Sequence, residues 1–124
     1  MVVYPQGVPP APGQQSLRTW NAGKCCGPAK RTNADDVGFT FAVLDDLARR
    51  TPLDKRRVYA TGISNGGMMA YRLAADASKR VAAVASVAGQ VQVTKFAPTR
   101  PVPVMEFHSV DDPRALYNGG LRLP

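Results

Sequence analysis

Arg57-Val58-Tyr59-Ala60-Thr61-Gly62-Ile63-Ser64-Asn65-Gly66-Gly67-Met68-Met69-Ala70-Tyr71-Arg72-Leu73 decides the reading of this chain, because an apolar strand-like run gives way within it to a helical one. At the junction, Gly62-Ile63-Ser64-Asn65-Gly66 is a G-x-S-x-G pattern. Between a strand and a helix such a pattern forms the nucleophile elbow, a sharp turn that lifts a serine hydroxyl above the edge of a sheet. The turn forces the serine into a backbone region that costs about 1 to 3 kcal/mol, and a side chain on either flanking glycine is expected to collide with the strand or the helix. The helix that follows points its free N–H groups at the same spot, so the backbone amide of Asn65 is placed to stabilise an oxyanion. The bare pattern also arises by chance in chains of this composition, so the flanking strand and helix carry the inference.

Outward from this block the chain alternates strands and helices. Asn33 is expected to cap a helix with Asp35 and Asp36 in its first turn and Val37, Phe41, Leu44, Leu47 and Ala48 at helical spacing, stopped by Thr51-Pro52. Those two aspartates match the charge preference of a helix N-terminus rather than an acid/base pair. A helix is expected over residues 65–77, with Met68 and Met69 as core filler. Residues 81–87 and 102–107 read as short strands buried on both faces, the latter opened by Arg100-Pro101. Val2-Val3-Tyr4 reads as the end of another buried strand, stopped by Pro5 and Gly7. The alternation implies an α/β fold, a parallel sheet with flanking helices. Ligands bind such sheets at the C-terminal ends of strands, where Ser64, Gly89 and His108 fall.

Residues 5–32 are rich in Pro, Gly, Gln and Asn and show no period, which marks a long loop, either functional or incompletely ordered. Trp20 at its centre has two readings, the wall of a substrate pocket or an anchor that pins the loop to the body. Cys25 and Cys26 are adjacent, and neighbouring cysteines rarely bond to each other, so two loop thiols are expected. One histidine is too few for a usual zinc site with them, so no metal is expected.

The 124 residues fit one domain but fall short of the roughly 200 to 250 that large α/β enzymes occupy, so residues 1–124 are expected to form a single partial domain. Apolar residues make up 44% of the chain, with no signal-peptide core and no membrane-length run, so no membrane partner is expected. The net charge of +7 is spread over helix ends and turns rather than gathered in a stripe with aromatics, which argues against nucleic acid as a partner.

Taken together, Val2-Val3-Tyr4-Pro5, Trp20-Asn21-Ala22-Gly23, Cys25-Cys26-Gly27, Asp35-Asp36-Val37-Gly38-Phe39, the block from Arg57 to Tyr71 and Val87-Ala88-Gly89 resemble the polyhydroxybutyrate depolymerase and feruloyl esterase group of α/β-hydrolases. The likeness runs from Val2 to about Gly120. It implies a partial α/β-hydrolase fold and a secreted, cofactor-free serine esterase acting on small or polymeric esters, such as short hydroxyalkanoate or cinnamoyl esters. By the same resemblance Ser64 matches the nucleophile and the Asn65 amide one oxyanion donor. The segment Phe107-His108-Ser109-Val110-Asp111-Asp112-Pro113, with Tyr117-Asn118-Gly119-Gly120 after it, is similar to the strand end that carries the triad carboxylate, which falls on Asp112, with Asp111 as second choice. Ser109 stands where the group has glycine, and Ala75 where many relatives have a cysteine that would pair with one of the two here. The resemblance also implies N-terminal strands with a His-Gly loop and a later catalytic histidine, neither of which these residues supply.

Serine esterolysis needs a base, in practice a histidine oriented by a carboxylate. His108 is the only histidine, and it precedes Asp112, whereas the elbow-type order is Ser, Asp, His. It reads either as a stand-in base or as a structural residue beneath the site. A chain without a base is expected to turn over little, since losing one costs roughly 10⁴ to 10⁶ in rate. The competing reading is a non-catalytic binding or interaction module that self-associates through open sheet edges.

Overall fold

In the computed structural model, residues 1–119 are described. They contain helices α1 (Gly27–Arg31), α2 (Asp36–Arg50) and α3 (Asn65–Asp76), and strands β1 (Tyr59–Ile63), β2 (Ala83–Val87) and β3 (Val104–Phe107). The strands form one parallel sheet in the order β1-β2-β3. Tyr59 pairs with Ala83 and Ile63 with Val87, and Val84 pairs with Val104 and Val87 with Phe107, so all three strands end level. The α/β expectation holds.

The sheet forms because each strand carries small or branched apolar residues toward one helix. Alanines and glycines on α3 let it lie close on the sheet, and Met69, Ala70, Leu73, Ala74 and Ala77 join Val81 and Val84 in the core. Val37 and Phe41 of α2 pack on the rim of that cluster. Burial of a Leu or Met side chain contributes about 1.5 to 3 kcal/mol, so this face supplies much of the apolar stabilisation.

The opposite face is uncovered. Register puts Tyr59, Thr61 and Ile63 on it with Ala83, Ala85, Val87, Met105 and Phe107, and Tyr59, Ile63, Met105 and Phe107 are exposed. The expectation that β3 is buried on both faces therefore fails. β3 is an edge strand, exposed at every position, and no described helix covers its second face.

Three local expectations also change. Val2, Val3 and Tyr4 form no strand and are exposed; they line one cavity together with residues of β1. The helix cap is Asp35, whose carboxylate accepts from the Gly38 N–H at 2.9 Å, while Asn33 adopts φ 50° just before it. Residues 27–31, read as loop, form α1 behind Pro28 in its first turn.

Part of the dispersed charge is paired locally. Arg49 and Arg50 pair with Asp46, Arg57 with Asp54, and Arg80 with Asp45 while lying over the Phe41 ring. No helix of the described residues is long and apolar enough to cross a membrane.

Candidate active site at the strand ends

Ser64 sits between the last residue of β1 and the first of α3, with φ 53° and ψ −120°, a conformation an L-residue adopts only under constraint. The constraint comes from both sides. Its N–H donates to the Val87 carbonyl at 2.8 Å, and its own carbonyl accepts the Met68 N–H at 2.9 Å, which opens α3. Its side chain makes no capping bond to the helix, and the residue is exposed. Ser64 thus stands at the N-terminus of α3, where the first amides of a helix lack intrahelical partners.

The flanking glycines divide their work differently from expectation. A Cβ on Gly62 would sit 2.5 Å from the Gly66 carbonyl carbon, so the turn closes only over glycine there. A Cβ on Gly66 meets nothing within 4 Å. The second steric requirement falls instead on Gly67, where a Cβ would lie 2.6 Å from Ser86 Oγ beneath the first turn of α3.

The side chain of Asn65 turns away from Ser64 toward the loop. Its Oδ1 accepts the Trp20 N–H at 2.7 Å and its Nδ2 donates to the Trp20 carbonyl at 3.0 Å. The next residue is held as firmly. Asn21 is buried, its N–H donates to Asp36 Oδ2 at 2.6 Å, and its carbonyl accepts from Arg72 Nη1. Its Nδ2 donates to the Ala34 carbonyl at 3.1 Å. Asp36 thus does more than match a helix end: it is a buried carboxylate bonded to the loop. The Trp20 ring stacks on Phe39 at 6.3 Å, packs on the core and walls a cavity of about 690 Å³ with Val2, Tyr4, Gly62 and Gly66. These contacts anchor Trp20 to the body, and the cavity it walls is lined by Gly62 and Gly66 but not by Ser64.

Cys25 and Cys26 are bonded to each other across a cis peptide, against the expectation of free thiols. Cys26 Sγ lies 3.9 Å from Met68 Sδ, which seats the loop on α3.

At the end of β3, His108 is held on both ring nitrogens. Glu106 Oε1 lies 3.0 Å from Nδ1, and the Ala115 carbonyl lies 2.6 Å from Nε2, with Asp112 Oδ2 3.6 Å away. Both nitrogens face acceptors, and only the imidazolium can donate to both. The Ala115 carbonyl, then Glu106, accordingly raise the affinity of His108 for its proton. Asp112 Oδ1 accepts the N–H groups of Arg114 and Ala115 at 2.8 and 2.9 Å, and these bonds hold its carboxyl below the usual range. Ser109 fits the turn, its carbonyl accepting the Asp112 N–H at 3.2 Å. Asp111 is exposed, its own N–H bonded to Ser109 Oγ. Gly120 lies outside the described residues. Tyr71 on α3 reaches Glu106 at 3.0 Å, and burial followed by that carboxylate pushes its hydroxyl up to about 12.

Ser64 and the Asp112 turn therefore close the ends of β1 and β3, with β2 between them. At ordinary strand spacing the ends of β1 and β3 lie about 10 Å apart. Sequence reasoning missed Asn21, Asp36 and Arg72 as a group, because a polar side chain bonded to a distant main chain leaves no periodic signal. Among the described residues no cluster of His, Cys, Asp or Glu is arranged to hold a metal ion.

The sequence profile described as the prolyl oligopeptidase family matches residues 28–118. "Feruloyl esterase B" of Piromyces equi is 35% identical over 109 residues, covering 84% of this chain and 19% of that protein. "Putative esterase NocK" of Nocardia uniformis subsp. tsuyamanensis is 44% identical over 86 residues, 68% of this chain and 25% of that protein. "Probable feruloyl esterase C" of Aspergillus niger is 32% identical over 92 residues, 74% of this chain and 34% of that protein. The chain thus spans about a fifth to a third of the length of these curated relatives.

Proposed function

Within the prolyl oligopeptidase family of α/β-hydrolases, to which this chain belongs, we propose that it carries the nucleophile and acid of a serine carboxylesterase. The observation that carries this reading is the backbone of Ser64, constrained at φ 53° and ψ −120° between β1 and α3 with its side chain at the surface. A strained, exposed serine at a helix N-terminus is what attack on an ester carbonyl requires, because the helix amides meet the oxyanion as it forms. In this reading Ser64 attacks, the Asn65 N–H supports the oxyanion, and Asp112 orients an imidazole. The two strand spacings between the ends of β1 and β3 are wide enough to admit such a ring.

His108 is not that ring. Its Nδ1 faces Glu106 Oε1 and its Nε2 faces the Ala115 carbonyl, so both nitrogens already have partners other than the serine. Residues 1–124 alone are therefore expected to turn over slowly. The named relatives favour feruloyl, that is hydroxycinnamoyl, esters as substrates, with Trp20 at the substrate side; short hydroxyalkanoate esters are the alternative, and export from the cell belongs to the same proposal.

Hydrolysis of methyl ferulate and of a 3-hydroxybutyrate ester tests this, with and without added free imidazole. The reading expects slow turnover that imidazole accelerates only when Ser64 is present. Equal turnover in Ser64→Ala overturns it, and fast turnover abolished by His108→Gln would reassign the base to His108.

A second reading has its own observation. Tyr59, Ile63, Met105 and Phe107 leave an apolar sheet face open beside two strand edges, which suits pairing with a second copy. Light scattering over a concentration series tests it: mass that rises with concentration supports it, and a constant monomer mass rejects it.

A further inference from the structure

We propose that Asn65 is a positioning residue whose side chain, with Arg72 and Asp36, clasps Trp20-Asn21 against the Ser64 turn, so that loop and nucleophile hold one relative geometry. The proposal rests on the esterase reading for its consequence and on contacts alone for its structure. Asn65 has one acceptor and one donor group on its side chain, and both are committed to the main chain of a single residue, Trp20. This two-point contact fixes orientation as well as distance. One residue on, the Asn21 peptide is gripped from both sides, its N–H by Asp36 on α2 and its carbonyl by Arg72 on α3.

The clasp thus joins three elements. Arg72 also pairs with Asp76 at 3.2 Å, which steadies its guanidinium along α3. Asp36 and Asn21 are buried at 5% and 4% exposure, where hydrogen bonds to a charged group are worth about 1.5 to 3 kcal/mol and an unmade one is costly. The same residue that offers its backbone N–H beside Ser64 therefore uses its side chain to hold the loop. Movement of Trp20 is transmitted to that N–H through one residue. The Asn65 side chain is excluded from substrate contact, and specificity passes to what it holds, the Trp20 ring stacked on Phe39.

Trp20 is the only tryptophan, so its fluorescence reports the clasp without interference. Asn65→Asp is the decisive variant. It keeps the acceptor for the Trp20 N–H, replaces the donor by an oxygen facing the Trp20 carbonyl, and puts a negative charge at the first residue of α3, where the helix dipole favours it. If Asn65 served only the helix, this change would be neutral or stabilising. The clasp instead requires Trp20 emission to move to the red, acrylamide quenching to rise, and Ser64 labelling by a fluorophosphonate in the presence of imidazole to slow by about tenfold or more.

Arg72→Met, which leaves Asn65 in place, should move Trp20 in the same direction. Unchanged emission and quenching in both variants, with helical content retained, would overturn the clasp. A Trp20 shift with unaltered Ser64 labelling would overturn the positioning role. Failure of the parent protein to label counts against the esterase reading alone, because the tryptophan signal still decides the clasp.

Discussion

The Ser64 N–H donates to the Val87 carbonyl at 2.8 Å, one residue beyond the last pair of β1 and β2. The Ala88 N–H repeats the step onto Phe107 of β3 at the same distance. The ladder thus continues through the serine, and its backbone is fixed by the sheet before the helix begins. This is why an unfavourable φ persists at an exposed residue: the bonds on either side leave it no relaxed alternative.

Replacing Ser64 by Gly should stabilise the protein. Release of about 1 to 3 kcal/mol of backbone strain exceeds the roughly 0.5 to 1 kcal/mol of added chain entropy that glycine brings. The net gain is expected to be about 1 kcal/mol, read as a thermal midpoint a few degrees higher with labelling lost. A lower midpoint would mean that the serine conformation carries no strain.

Gly62 and Gly66 should respond oppositely to alanine. The Cβ at Gly62 has only backbone within reach, at 2.5 Å, and cannot be relieved by a rotamer change. Its cost is expected at about 1 to 3 kcal/mol, in the range of overpacking, whereas Gly66→Ala, in a helix and in open space, should be neutral or gain up to about 1 kcal/mol. Urea unfolding of the two variants checks the pair, and equal midpoints would contradict the assignment.

The His108 bonds should make stability depend on pH in a defined direction. The folded state raises its affinity for a proton, through the Ala115 carbonyl first and Glu106 next. The contribution is therefore complete below the ordinary value of about 6.5 and is lost as pH rises through the raised folded value. Asp112 acts oppositely: its lowered folded value gives stability above about 3.9 that disappears as pH falls through that value. Thermal midpoints across pH should fall on both sides, and His108→Gln should flatten the alkaline limb and, by removing the cation beside Asp112, weaken the acid limb as well.

Much of the fold was legible because it follows from short-range rules. Residues 59–63 and 83–87 are apolar runs between turn signals, α2 and α3 have helical spacing, and Gly62 to Gly66 announces the junction. What was not legible depends on tertiary contact. Asn33 and Asp35 are both good caps in isolation, and the choice of Asp35 goes with Asn33 being bonded to Asn21. The two faces of β3 look alike in sequence, and only the placement of the helices decides that they are exposed. Gly66 and Gly67 are indistinguishable until Ser86 is seen beneath the second. At the candidate site, Ser64, Asn65 and Asp112 stood out by motif and resemblance, whereas Asp36 and Arg72 bond the main chain of Asn21, atoms that any residue possesses.

Fluorophosphonate treatment of the intact chain in the presence of imidazole, followed by mass spectrometry of its peptides, shows whether the turn aims Ser64 as a nucleophile. A single phosphonyl adduct is expected, on Ser64, absent after denaturation and from Ser64→Ala. An adduct on another residue, or equal modification of folded and unfolded protein, would refute that role.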